Sequence, residues 1–226
     1  SRGQEQSRLL SDLDNYISML EAIDAERANF GSLNNLQASL AGAQGRIAAY
    51  RQANTSGAPG AGEVAAGEIV LDQPSQQAQI PGNNALIIGA SPNALNTGDT
   101  IDPLFAPVLR NNPQGAPNFQ AVNHAEQTVV GRAARTLRNT FGQNAAANIQ
   151  GELRLFLEGR PPCPNCQGGL VDLAGNLIVG FGHDGPLVQF SRAFPQMRLI
   201  VTHPNATGNG VNTVVILNGQ VISGNF

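Results

Sequence analysis

The chain has 226 residues, room for one large domain or for an ordinary domain with an appendage. Apolar residues make up 41% and charged residues 13%, with 26 Gly and 14 Pro filling the gap, and no apolar run is long enough to span a membrane. The net charge is −3, with 6 Arg against 11 acids in residues 1–116 and 7 Arg against 5 acids in residues 117–226, which argues against binding nucleic acid by bulk charge alone.

Leu9, Leu13, Tyr16, Leu20 and Ile23 recur at 4-3-4-3 spacing, and the pattern resumes at Leu33, Leu36, Leu40, Ala43, Ile47 and Tyr50. This predicts a helical hairpin over residues 1–53, turning at Gly31-Ser32, that packs or binds a partner. Residues 54–68 are rich in Gly, Ala and Pro and are expected to be a linker, with a domain boundary near residue 62. From residue 69 to 226 a second domain is expected. Short strands are predicted at 68–71 and 86–88, followed by loop over 91–118. Ala125, Val129, Ala133, Leu137 and Phe141 predict a helix with one buried side, which turns Arg132, Arg135 and Arg138 outward. Leu153–Leu157 reads as a buried strand, and Arg198–Thr202 and Val211–Leu217 as later ones. Asn218-Gly219 is a hairpin turn signal leading into Gln220–Ile222. The alternation points to an α/β mixed sheet with helices packed on it.

Cys163 and Cys166 are the only cysteines, too few for a disulfide-stapled scaffold but spaced for a metal site or a redox pair. They stand in Pro162-Cys163-Pro164-Asn165-Cys166, directly after a predicted strand. His124-Ala125-Glu126 opens the amphipathic helix. One imidazole and two thiolates make a three-ligand zinc set, the coordination of a catalytic ion that keeps a position for water. Pro164 suits the first turn of a helix, so two helix N-termini are expected to converge on the ion and to favour thiolate. Glu126 falls within the apolar arc of its helix, where an unpaired carboxylate is costly and a proton-transfer role explains it. The combination H-x-E…P-C-x-x-C is the signature of zinc nucleobase deaminases.

Residues 117–203, with PNFQAVNHAEQTVV, LRLFLEGRPPCPNCQGG and MRLIVTHP, resemble the cytidine-deaminase superfold. Within it they are similar to the C-terminal deaminase domains of bacterial polymorphic toxins, including double-stranded DNA cytosine deaminase toxins. The resemblance implies a Zn2+ cofactor held by His124, Cys163 and Cys166, with Glu126 as the proton shuttle. It also implies DNA rather than RNA as the target, a cognate immunity protein as partner, and a delivery portion ahead of Ser1. The protein would then be a secreted or delivered effector acting in the cytoplasm of a target cell. The chain departs from the pattern in its long His-to-Cys interval and in a Gly-rich segment after Cys166, where the superfold places a helix.

Substrate contacts are less determined. Phe119 is a candidate for stacking on a base and equally a core residue. Asn123 is a candidate for hydrogen-bonding sugar or base and equally a helix cap. Pro162 is a candidate wall of the site. His183, in Gly182-His183-Asp184-Gly185, is a loop contact or has no role, and His203 is structural. Cytosine attacked at C4 and adenine attacked at C6 would use the same groups. A deaminase of free nucleosides and a non-catalytic zinc or interaction module stand as the alternatives.

Overall fold

The structure, a computed structural model, describes residues 1–54, 62–107, 124–180 and 182–226, and for residues 18–34 only the course of the backbone. The elements are α1 (Arg2–Gln52), β1 (Val64–Leu71), α2 (Pro74–Gln77), β2 (Leu86–Ala90), α3 (Ala125–Phe141), α4 (Gln143–Ala146), β3 (Gly151–Leu157), α5 (Pro186–Ala193), β4 (Met197–Pro204), β5 (Val211–Leu217) and β6 (Gln220–Ser223). The strands form one six-stranded mixed sheet in the order β2-β1-β3-β4-β5-β6. Only β3 and β4 run parallel, with Leu153 opposite Leu199 and Leu155 opposite Val201. A parallel pair needs a long crossover. Here the crossover holds the two cysteines and α5, so the cysteines leave the carboxyl end of a central strand.

The core lies between one sheet face and helices α3 and α5. Ile69, Leu153, Leu155, Leu199 and Val201 from the strands meet Val129, Ala133, Leu137, Leu187 and Phe190 from the helices, all buried. Strand alternation sends Glu152 and Arg154 to the opposite face. There Arg154 pairs with Glu152 at 2.8 Å, and Arg198 reaches both Glu152 (3.3 Å) and Asp72 (3.0 Å). The Asn218-Gly219 signal is realised with φ values of 47° and 79°, which close the β5–β6 hairpin.

The N-terminal hairpin is not formed: α1 is one continuous helix that runs through Gly31-Ser32. A single Gly costs a helix only about 1 kcal/mol, too little to break a long one that is otherwise favourable. Nor does the Gly/Ala/Pro stretch divide the chain. The compact units are Ser1–Ala41 and Gly42–Phe226, so the boundary falls inside α1. The reason is that the last turns of α1 belong to the second unit. Ala43 and Ile47 are buried there, Arg46 donates to the Gly67 carbonyl, and Tyr50 donates to Asp99.

The expected linker over 54–68 also ends too late, because β1 already begins at Val64. Ala65, Ala66 and Gly67 look like linker residues, but all three are buried in the strand and Gly67 is small for a packing reason. A Cβ on Gly67 would run into Val129 of α3, and one on Gly89 of β2 would run into the Ala125 carbonyl. The two glycines let the first turns of α3 lie directly on the sheet. We expect Gly89→Ala to cost about 1–3 kcal/mol by overpacking and to weaken metal binding by moving His124, the residue preceding α3. Denaturant midpoints and zinc titration of the same variant check both effects.

Candidate metal centre

His124 is the N-cap residue of α3, with extended backbone, and its side chain does not cap the helix. Its Nδ1 lies 3.1 Å from Cys166 Sγ and 3.2 Å from Cys163 Sγ, and the two sulfurs are 3.5 Å apart. Zinc bonds of about 2.0–2.3 Å in tetrahedral geometry require ligand-to-ligand edges of about 3.3–3.8 Å. The sulfur–sulfur edge falls in that range and the two nitrogen–sulfur edges are 0.1–0.2 Å short of it, so a small outward shift of the His124 ring fits the triangle to one ion, and its donor set of one nitrogen and two sulfurs suits zinc. Among the described residues this is the one group of three or more His, Cys, Asp or Glu side chains arranged to hold a metal. It brings together residues some forty positions apart in the chain.

The cysteines do not sit on a helix as expected. Residues 164–169 form hydrogen-bonded turns, with the Cys166 and Gln167 amides donating to the Cys163 carbonyl at 3.0 and 3.1 Å. Gly168-Gly169 ends the winding, Gly169 being at φ 80°. One turn suffices to aim both sulfurs at one point, and the Cys166 amide also approaches Cys163 Sγ at 3.4 Å. The Cys166 thiol and the His124 ring hydrogen-bond Cys163 and hold its thiol down to about 4, whereas burial pushes Cys166 well above the ordinary range. The site thus offers one ready thiolate and a second that ionises when a cation arrives.

Glu126 is only 4% exposed, so the inward placement read from the helical wheel is realised. Its Oε1 is 3.9 Å from His124 Nδ1. Burial pushes its carboxyl up, against a hydrogen bond with Cys166 and the neighbouring imidazole. A carboxyl pushed up in this way keeps its proton to higher pH than an exposed one, which suits a group that takes up and passes on a proton.

His124, Glu126 and Cys163 line a cavity of about 210 Å³. That is smaller than the roughly 300–1,000 Å³ of sites enclosing a drug-sized ligand. It suits a single small ring with the rest of the molecule outside. The remaining wall comes from residues the sequence did not single out: Gly62, Glu63, Ser91, Leu157, Arg160 and Pro161. Glu63 falls within the stretch expected to be linker. It instead precedes β1, accepts the Gly159 amide at 2.8 Å, and has its own amide held by Ser91 Oγ at 2.8 Å. Burial, with the like charges of Glu158 and Glu126, pushes Glu63 up to about 7, against the Gly159 hydrogen bond and Arg160. Glu158 is gripped by both Arg51 side-chain nitrogens Nε and Nη2 and accepts the Val64 amide. The end of α1 therefore braces the wall of the cavity.

The raised Glu63 group has a consequence for stability. Its folded value lies above the ordinary 4.5, so the stabilising neutral form is fully present below about 4.5 and is lost as pH rises through about 7. Glu63→Gln does not titrate. The variant should gain on the parent between those values, by about 1–2 kcal/mol above pH 7 after allowance for solvent screening. Denaturant unfolding of both proteins over that pH range checks it.

The other sequence candidates divide. Asn123 and Phe119 lie outside the described residues. Pro162 is buried, with its carbonyl accepting Gln167 Nε2 at 2.6 Å, and it lines a neighbouring apolar groove of about 870 Å³. Pro161 belongs to both that groove and the cavity. His183 is buried against Gly168 and is not part of the cavity wall. The three Arg of α3 are not a free cationic face. Arg135 pairs with Asp102 at 2.7 and 3.0 Å, Arg132 donates to the Ile88 and Thr100 carbonyls, and Arg138 lies over Phe105 and Phe194. They fasten the 99–105 loop and the core edge to the helix.

The fold and the site together define an α/β protein with a candidate His-Cys-Cys metal centre beside a buried carboxyl. Comparison with known proteins returned no matching family model, no matching curated protein and no matching solved structure.

Proposed function

We propose that the protein is a zinc-dependent hydrolytic deaminase that converts cytosine to uracil, with DNA as the substrate and a toxin role for the domain. The observation that carries the reading is the buried Glu126 carboxyl beside a three-ligand zinc set at one small cavity. A structural zinc normally takes four protein ligands, and a structural helix would not bury an acid there. The order of parts also supports it: H-x-E on α3, then β3, then the C-x-x-C turn, then β4 ending at Pro204. The choice of DNA and the toxin role rest on the resemblance of residues 117–203.

When bound, a zinc ion held by His124, Cys163 and Cys166 supplies Lewis acidity that activates water near neutral pH. Glu126 takes the proton of the water that attacks C4 and delivers it to N3. It then takes the remaining C4–OH proton and gives it to the departing amino group as the C4–N4 bond breaks and C4=O forms, so cytosine and water become uracil and ammonia. Leu157 and Pro161 are apolar wall, which keeps the electrostatics of the site strong.

The test is a substrate panel. Zinc-loaded protein is incubated with cytidine, single-stranded DNA, duplex DNA and RNA, and C-to-U conversion is scored. Conversion in DNA is expected. Conversion of cytidine alone overturns the polymer substrate and the toxin role, and no conversion with zinc bound overturns the deaminase reading in favour of a zinc module.

A further inference from the structure

Glu63 faces the same cavity as Glu126 from the opposite element, the residue before β1 rather than the start of α3. Its position is doubly held: its amide is fixed by Ser91 and its Oε1 by the Gly159 amide. Its other oxygen, Oε2, lies beside the Gly159 backbone and receives no hydrogen bond from a described residue. The Glu158–Arg51 pair holds the next residue, Val64, and so fixes the backbone on that side as well. A Gln at this position could accept the Gly159 amide equally well without placing a second acid at the cavity. An acid that lines the cavity, is held at one oxygen and receives no hydrogen bond from a described residue at the other is arranged for a ligand.

Resting on the deaminase reading, we propose that Glu63 is a specificity-determining residue whose Oε2 accepts a hydrogen bond from the exocyclic amino group of the substrate base. The chemistry gives this contact a direction. The substrate presents N–H donors at C4, whereas the uracil product presents a carbonyl oxygen there. A carboxylate oxygen therefore favours the substrate over the product, and a site built to pair a donor rejects the analogue that lacks it. Glu63 would then weaken product binding as soon as the amino group has left. Arg160, the Arg among the described residues that line the cavity, favours the ionised form of Glu63 and so helps keep it an acceptor.

The test measures binding without turnover. Zinc-loaded Glu126→Gln and Glu63→Gln/Glu126→Gln proteins are titrated with oligonucleotides carrying a single C or a single U, and with deoxycytidine and deoxyuridine. In Glu63→Gln the oxygen held by Gly159 is kept and the other acceptor becomes an N–H donor. We expect the preference for C over U to fall about tenfold or to invert, with zinc content unchanged. A merely structural role would weaken both ligands alike and leave the ratio intact. An unchanged ratio, in a protein whose unmutated form converts C to U, overturns the role of Glu63 alone. Absence of both binding and conversion in the unmutated form overturns the deaminase reading and this inference with it.

Discussion

Replacement of Glu126 by Gln is expected to abolish deamination, by about 10³-fold or more in kcat, while leaving the zinc stoichiometry of the protein unchanged. The side chain is not one of the three ligands, and Gln matches it in size, so the cavity keeps its shape. What is lost is the capacity to take a proton from water and hand it on. Stability should move the other way. A carboxyl that is only 4% exposed and pushed up by burial is a cost to the fold near neutral pH, and an uncharged amide removes that cost. Inactivity combined with equal or higher denaturant resistance distinguishes loss of a proton carrier from simple misfolding. Full turnover in this variant, measured as ammonia release from a cytosine substrate, would defeat the assigned role.

Removal of the metal should have the second largest effect, on stability as well as activity. Cys166 is fully buried and Cys163 partly so, and both lie within 3.2 Å of the His124 ring nitrogen. An ion that binds the folded but not the unfolded chain, at about 1,000 times its dissociation constant, contributes about 4 kcal/mol. For a unit of this size each kcal/mol moves Tm by about 2–4 °C, so chelation should lower Tm by about 8–16 °C. Cys166→Ser should lose the zinc, unfold near the temperature of the stripped parent, and show no further change with chelator. The measurements are metal content by emission spectrometry and thermal unfolding under reducing conditions. Equal unfolding temperatures with and without chelator, in a protein that carries no zinc, would remove the metal from the account.

The core strands and α3 were legible because burial imposes a period. LRLFL can alternate only as a strand, and the four-residue recurrence from Ala125 to Phe141 can only be a helix with one buried side. The convergence of His124, Cys163 and Cys166, a group that could hold a metal ion, was legible because their residue types and spacing serve few other purposes. The hairpin expectation failed at Gly31-Ser32, where capping residues in a long helix looked like a break. The linker expectation failed over Ala65-Ala66-Gly67, a strand in which Gly67 is kept small by the helix lying on it. The outward Arg face was placed on the correct side of α3, but its partners, Asp102, the Ile88 and Thr100 carbonyls and two Phe rings, come from segments distant in the chain.

Taken by itself, the order of residues determined which elements form around the centre and which three side chains can hold an ion, since periodicity and ligand chemistry are local properties. Only the folded chain decided that the ion site meets Glu63 and Arg160. These residues sit on the edges of other elements, and which edges converge depends on the pairing of β1 with β3 and on Gly89 letting α3 down onto the sheet. Contacts of that kind have no signature along the chain, because they are set by packing between segments that the sequence does not place side by side.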